Sequence, residues 1–322
     1  MAEARYPRDP AAAGLTLFQA WFGAHFARSA ALSDAPSVDG GVLHASLLIG
    51  RKWTLAVTLL NTLALETTVE YEAARAAIEH RLDDDGRPVM LWAPPGAQLP
   101  ATEPGLSELA MAVAAAKPVD DGRLEVRRPV NLYLRRTSTT GSVVTILGGL
   151  AGHWARFTNR VAGSFQMNSF ELLRLPESQD ERDELAERVV MAAGQPEVDD
   201  GLVLGAEDAW TANEAPAGAG SCVIGSPALE NDDHSAQLRR NLRQLLRAPA
   251  PATSGGERPA ARALVVLGAA TYATEEKLSW ALKGMDPTLY AGNEIVAVLA
   301  DGALKVLMEP PRGTLPWDAP LG

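Results

Sequence analysis

The feature that most restricts the fold of this sequence is a pair of apolar runs, Val42–Ile49 and Trp53–Leu60, separated only by Gly50-Arg51-Lys52. Apolar runs of this length, bounded by a turn that contains glycine, are typical of buried strands rather than of helices. The pattern predicts a β-hairpin, so the N-terminal part of the chain is expected to build a sheet.

Segments with a helical spacing of apolar residues lie on both sides of this hairpin in the sequence. In residues 14–32, Leu15, Phe18, Phe22 and Phe26 recur at intervals that place them on one helix face. The same periodicity, together with capping and breaking residues, predicts helices at 69–82, 105–116, 176–193 and 236–247, and a short buried strand at 89–93.

The middle of the chain changes to strand-like alternation, which predicts antiparallel strands at 124–126, 130–134 and 143–147, and one strand or two short pieces over 165–173. Residues 194–235 are rich in Gly, Pro, Asp and Asn and are expected to hold little regular structure. A β-α-β-β block follows, with strands at 263–267, 294–299 and 303–308. The proline-rich tail at 310–322 is expected to be loose.

These elements predict the α/β class in its mixed α+β form. We expect an N-terminal mixed sheet with helices, an antiparallel middle region and a small C-terminal β-α-β-β unit. The clearest linker is the stretch rich in Ala, Pro, Gly and Ser at 248–260. The expected division begins with an α/β domain at 1–118 and a basic antiparallel strand region packed on it at 119–176. A helix and irregular region at 177–247, the linker at 248–260 and the C-terminal α/β unit at 261–322 follow.

Composition favours a cytoplasmic protein. The single cysteine, Cys222, excludes an intramolecular disulfide and fits a reducing compartment. The N-terminus lacks the basic start and apolar run of a signal peptide, and no apolar run approaches the ~20 residues of a membrane span, so no membrane partner is expected. The frequent use of Ala, Gly, Pro and Arg is typical of proteins from GC-rich bacterial genomes.

Charge is unevenly distributed along the chain. The net charge is −11, which argues against general attraction to nucleic acid or anionic membranes. Residues 123–174, however, contain eight arginines and two acids, a net charge of +6 that leaves −17 on the rest of the chain. Such an asymmetry indicates an anionic partner for the basic stretch.

Motifs for metal, nucleophilic or phosphate chemistry are missing from the sequence. The five histidines are scattered without Cys-x-x-Cys or His-x-x-x-His spacing, so no metal and no cofactor are predicted. Cys222 is interpreted as a small structural thiol. Gly148-Gly149-x-x-Gly152 lacks the Lys-Ser/Thr of a phosphate-binding loop. We therefore expect no catalytic residues that a local motif would reveal.

The order helix, strand, strand, helix, strand over residues 14–93 resembles the core of the restriction-endonuclease-like fold. That family places an acid on one strand and an acid-x-Lys pair on the next, where they hold Mg²⁺. The second strand here, Trp53 to Leu59, contains no acid. The resemblance therefore implies the fold without its metal site.

A binding surface is predicted from the arginines and their neighbours. Arginines and hydroxyls bond phosphate oxygens without reading sequence, and aromatic side chains stack on bases. The predicted nucleic-acid or anion-binding residues are Arg127, Arg128, Arg135, Arg136, Thr137, Ser138, Trp154, Arg156, Arg160 and, on a separate helix, Arg239 and Arg243. The alternative is that these arginines pair internally with the acidic helix at 177–188.

Three functions remain open at this point. The first is a non-catalytic accessory protein of a larger bacterial assembly that contacts nucleic acid through the basic stretch. The second is a structural or adaptor protein that docks on an acidic protein partner or on other subunits. The third is an enzyme with a site assembled from distant residues, for which His153 with Arg156, or Asp39 with His44, are the first pairs to inspect.

Overall fold

The computed structural model describes residues 8–39, 41–65, 67–119, 122–147, 160–216, 219–227, 234–246, 259–268 and 275–318. The helices are α1 (Pro10–Phe26), α2 (Val69–Asp84), α3 (Gly105–Ala114), α4 (Gln179–Ala193), α5 (His234–Leu245) and α6 (Glu275–Lys283). The strands are β1 (Ala30–Leu32), β2 (Ser37–Asp39), β3 (Val42–Ile49), β4 (Trp53–Asn61), β5 (Val89–Trp92), β6 (Lys117–Pro118), β7 (Arg123–Ser138), β8 (Ser142–Leu147), β9 (Gly163–Asn168), β10 (Leu202–Glu214), β11 (Cys222–Ile224), β12 (Ala261–Leu267), β13 (Ile295–Ala300) and β14 (Ala303–Met308). They form two mixed sheets, which confirms the α/β class.

The first sheet has the order β1-β3-β4-β12-β13-β14, and the short strand β2 also pairs with β3, antiparallel to it. β3 and β4 form the predicted hairpin, in register from Val42 opposite Leu60 to Ile49 opposite Trp53. β12 inserts between β4 and β13 and runs parallel to both. The C-terminal strands thus belong to the same sheet as the N-terminal hairpin. The domain boundaries expected from the sequence stay a prediction.

Helices cover both faces of this sheet, which explains why its strands are apolar almost throughout. On one face α1 buries Phe18 and Phe22 against a core formed mainly by β3, β4 and β12. On the other face, α5 and α6 bury Leu242 and Leu278 against β12 and β13. The expectation of a loose C-terminal tail was wrong, because Trp317 is 1% exposed in the α1 core.

The second sheet has the order β11-β5-β10-β7-β9-β8, with β6 at the side of β7. Its centre is the long antiparallel pair β7 and β10, in register from Leu134 opposite Leu202 to Arg123 opposite Asn213. α4 packs against Leu132 and Leu134 in one cluster. α2 and α3 pack against Val126 and Trp210 in another.

Several predicted elements of this sheet need correction. Residues 194–235 hold the 13-residue strand β10 rather than little regular structure, because pairing with β7 overrides their polar composition. β8 runs parallel to β9, so the middle region is not wholly antiparallel. The two short strands expected at 124–126 and 130–134 are one strand, β7.

Two further expectations from the N-terminal part also differ. The helix expected at 14–32 ends at Phe26, because Ala27 adopts a left-handed conformation with φ of 51°. The endonuclease-like order over 14–93 is not realised in one sheet, since β5 pairs with β10 and β11 while β12 adjoins β4.

Among the described residues no helix combines the length and the apolar character that crossing a membrane requires.

Candidate docking groove

Arg127 on β7 is the centre of an ionic cluster. Its Nε donates to Glu125 at 2.8 Å, its Nη1 lies 3.3 Å from Glu207 on β10, and its Nη2 contacts Glu181 on α4. The hydrogen bond from Arg127 lowers the pKa of the Glu181 carboxyl and keeps it ionised. The same bond raises the pKa of the Arg127 guanidinium. The charge of Arg127 is therefore shared among three carboxylates.

Three other predicted arginines of the strand region also make contacts within the protein. Arg128 stacks on Trp210, 4.7 Å from the ring centroid, and burial lowers the pKa of its guanidinium. Arg136 donates to Asp199 at 2.8 Å. Arg160 pairs with Glu187 at 2.5 Å. Two more arginines of the basic stretch are paired as well, Arg123 with Glu177 and Arg174 with Asp301.

Arg135 differs from these arginines. Its side chain is exposed and forms neither an ion pair nor a hydrogen bond within the described part of the chain. Beside it, Thr137 donates to the carbonyl of Ser164, and the Ser138 hydroxyl lies 3.0 Å from the Thr140 hydroxyl. Trp154 and Arg156 lie outside the described residues.

Arg239 and Arg243 are remote from this stretch because α5 packs on the first sheet. Arg243 donates to the carbonyl of Gly284, and the Arg239 guanidinium lies against the same glycine. Gly284 directly follows α6, so both arginines lie near the negative end of that helix dipole. The negative end of α6 therefore offsets the repulsion expected between two arginines on one face of α5.

Among the described residues, part of one edge of β10 has no strand neighbour. On its outer side β10 pairs with β5 only over Thr211 to Glu214. Asn131 lies opposite Gly205, and its N–H donates to Glu171 rather than to β10. The backbone groups of Gly205 therefore point away from β7.

Two hydrogen bonds support this orientation. Arg188 donates to the carbonyl of Gly205 at 3.0 Å, and the N–H of Ala209 donates to the carbonyl of Arg174 at 3.0 Å. Because backbone groups alternate between the two edges of a strand, those of Val203 and Glu207 also point outward. Their N–H groups and that of Gly205 form no hydrogen bond among the described residues. We call residues 203–207 the open edge.

A groove of about 550 Å³ lies at the open edge, between the strands and α4. Its apolar floor includes Val130, Leu185 and Ala206. Its charged lining consists of Glu181, Glu184, Glu207, Arg127 and Arg188. We call this cavity the β10 groove.

Among the described residues, those considered for catalysis form no recognisable catalytic arrangement. Cys222 is buried, as expected of a small structural thiol, and burial raises the pKa of its thiol to about 12, which disfavours the reactive thiolate. Burial lowers the pKa of His44, and the nearby charge of Asp39 partly opposes this shift. The His44 Nδ1 lies 3.3 Å from Thr58 Oγ1, and no hydrogen bond joins His44 to Asp39 in the described part of the chain. His153 with Arg156 lies outside the described residues. The described residues contain no group of three His, Cys, Asp or Glu that could hold a metal ion.

A second ionic cluster ties β11 and the N-terminal segment to α2. Arg75 is 4% exposed and donates to Glu72 and to the carbonyl of Val223. Glu79 accepts from the N–H groups of Val223 and Arg8. These contacts satisfy backbone hydrogen-bonding groups of β11 and of the segment that leads into α1. The cluster is therefore structural.

Sequence reasoning missed the open edge because β10 was not predicted as a strand. A weak signal was present, since Gly205 lies between the apolar run 202–204 and Ala206. A glycine inside a strand often marks a place where another backbone approaches closely.

Comparison with models of protein families, with curated proteins and with solved structures finds no match.

Proposed function

We propose that this protein is a non-catalytic docking protein that binds an extended segment of a protein partner as an additional strand on β10. The observation that carries the proposal is the open edge at the β10 groove. Outward N–H and carbonyl groups at such an edge gain hydrogen bonds when a peptide adds as a strand, and neighbouring pockets select its side chains.

The length of the open edge fits a short segment. Residues 203–207 span about 17 Å at the usual rise per strand residue. The edge is flanked by polar side chains, with Glu207 51% exposed, which favours a reversible contact over a permanently buried interface. In this proposal the protein acts in the cytoplasm as an accessory component of a larger assembly.

The test uses a random decapeptide library displayed on phage and selected on the purified protein. Peptides that bind at the open edge should bind the Gly205→Ala variant and lose binding to Gly205→Pro, because proline removes the outward N–H. Gly205→Ala is a matched control, since no atom lies within 4 Å of a Cβ at this position. If no peptide is enriched, or if enriched peptides bind Gly205→Pro equally well, the proposal is wrong.

Nucleic-acid contact remains a second candidate function, favoured by the exposed Arg135, which has no ion-pair partner among the described residues, next to exposed Thr137. Binding of labelled DNA and RNA at about 50 and 200 mM salt would test it, because phosphate contacts weaken steeply with salt. Binding that Arg135→Ala reduces would support this candidate. No binding at the lower salt concentration would exclude it.

A further inference from the structure

We infer that the segment bound in the β10 groove is basic, with Lys or Arg at alternate positions of an extended chain. This inference rests on the proposed strand addition at the open edge, and it adds the chemistry of the partner. It is opposite in sign to the anionic partner that the charge distribution of the sequence predicts.

The first argument is the balance of charge in the groove. Three acids, Glu181, Glu184 and Glu207, face two arginines, Arg127 and Arg188. Arg127 also pairs with Glu125, which is 3% exposed, so its positive charge is neutralised from within the protein. The groove therefore has a net negative charge that a basic segment would complement.

The second argument concerns Glu184, which is exposed and forms no ion pair within the described part of the chain. It lines the groove from α4, one turn of the helix after Asp180 and Glu181. An ammonium or guanidinium group placed beside it would pair with a carboxylate that requires no prior rearrangement. Glu184 is therefore the expected anchor for the cation of the segment.

The third argument is that a cation already occupies this edge. The guanidinium of Arg188 reaches across from α4 and donates to the carbonyl of Gly205. A main-chain N–H of an added strand would take over this carbonyl, as in any sheet. Successive side chains of a strand point to opposite sides, so cations at alternate positions would all face the same wall of the groove.

The test measures binding of three labelled heptapeptides by fluorescence anisotropy. They are Lys-Val-Lys-Val-Lys-Val-Lys, the same peptide with Glu in place of each Lys, and the Lys peptide with every internal peptide nitrogen methylated, which blocks both edges of the strand. We expect the Lys peptide to bind about tenfold or more tightly than the Glu peptide, as complementary charge discriminates between partners. N-methylation should abolish binding, since it removes strand hydrogen bonds and keeps the charge.

Variants locate the interaction. Glu184→Gln should weaken the Lys peptide about threefold, the range of an exposed ion pair. Glu197→Gln, an exposed acid outside the groove lining, is the matched control and should leave binding unchanged. Hydrogen exchange at the amides of Val203, Gly205 and Glu207 should slow when the Lys peptide is added, a readout that needs no variant to fold.

The outcomes separate this inference from the proposed function. If the Glu peptide binds equally well and protects the same three amides, the basic preference is wrong and strand addition stands. If no peptide binds or protects these amides, the basic preference is wrong for these probes, and the library selection decides on strand addition. Binding of the Lys peptide that survives N-methylation indicates nonspecific charge attraction and also overturns the inference.

Discussion

Arg188 on α4 donates a hydrogen bond from Nη1 to the carbonyl oxygen of Gly205 on β10, at 3.0 Å. A helix side chain thus fills the place that the N–H of a neighbouring strand would take. Arg188 is exposed, and ordering such a side chain costs conformational entropy. The contact protects one acceptor of the open edge and leaves the donors of the same edge without a partner among the described residues.

Replacing Arg188 should therefore favour strand addition. We expect Arg188→Met to raise the affinity for the Lys heptapeptide about threefold, because it frees the Gly205 carbonyl and removes a cation from the groove. Fluorescence anisotropy measures the change. Arg135→Met, which removes an equal charge from an exposed site outside the groove lining, should change the affinity little. An unchanged or lower affinity for Arg188→Met would count against competition at this carbonyl.

The burial of an ion pair should determine its contribution to stability. The side chains of Arg127 and Glu125 are 18% and 3% exposed, whereas those of Arg160 and Glu187 are 45% and 54% exposed. Arg127→Met leaves the Glu125 carboxylate buried without its cation and should lower the free energy of unfolding by about 3 kcal/mol. Arg160→Met should lower it by less than about 1 kcal/mol. Urea unfolding measures both, and equal effects would contradict the central place of Arg127.

Stability should fall at alkaline pH because of Cys222. Burial raises the pKa of this thiol from 9.0 to about 12. Between these values the unfolded chain has released the proton and the folded chain retains it, so the free energy of unfolding decreases as pH rises. The slope approaches about 1.4 kcal/mol per pH unit. Cys222→Ala should remove this part of the slope in urea unfolding at pH 8 to 10.5, and an identical slope in both proteins would refute the assignment.

Trp317 should anchor the C-terminal segment to α1. Its ring lies 5.3 Å from that of Phe22 and 5.9 Å from that of Phe26, between centroids, and Arg28 donates to its carbonyl. Trp317→Ala should lower the free energy of unfolding by about 3–5 kcal/mol through loss of packing. Arg312→Ala, an exposed change in the same segment, serves as the control. Similar effects of the two substitutions would show that the segment is not anchored by its tryptophan.

Elements whose signals are local could be predicted from the sequence. The β3–β4 hairpin is specified by two apolar runs and a short turn. The start of α2 is specified by Thr68, whose hydroxyl accepts from the N–H of Tyr71. In both cases residues close in sequence contain the necessary information.

Elements that depend on distant partners could not be predicted. β10 becomes a strand because β7 pairs with it along nearly its whole length, and its local sequence offers only a weak signal among Gly, Asp and Asn residues. The basic stretch was recognised as basic, but its acids Glu181 and Glu207 lie far along the chain and meet Arg127 only in the folded protein. The net charge of the basic stretch was therefore a poor guide to the charge of the surface that it forms in the folded protein.

The insertion of β12 beside β4 has a consequence for synthesis of the protein. The Thr62 hydroxyl donates to the carbonyl of Leu267, a contact between residues 205 positions apart. At about 5–20 residues per second, a ribosome needs about 10–40 s to translate the intervening chain. During that time the nascent hairpin has one long apolar edge without its partner, so we expect the emerging chain to depend on chaperones until β12 leaves the exit tunnel.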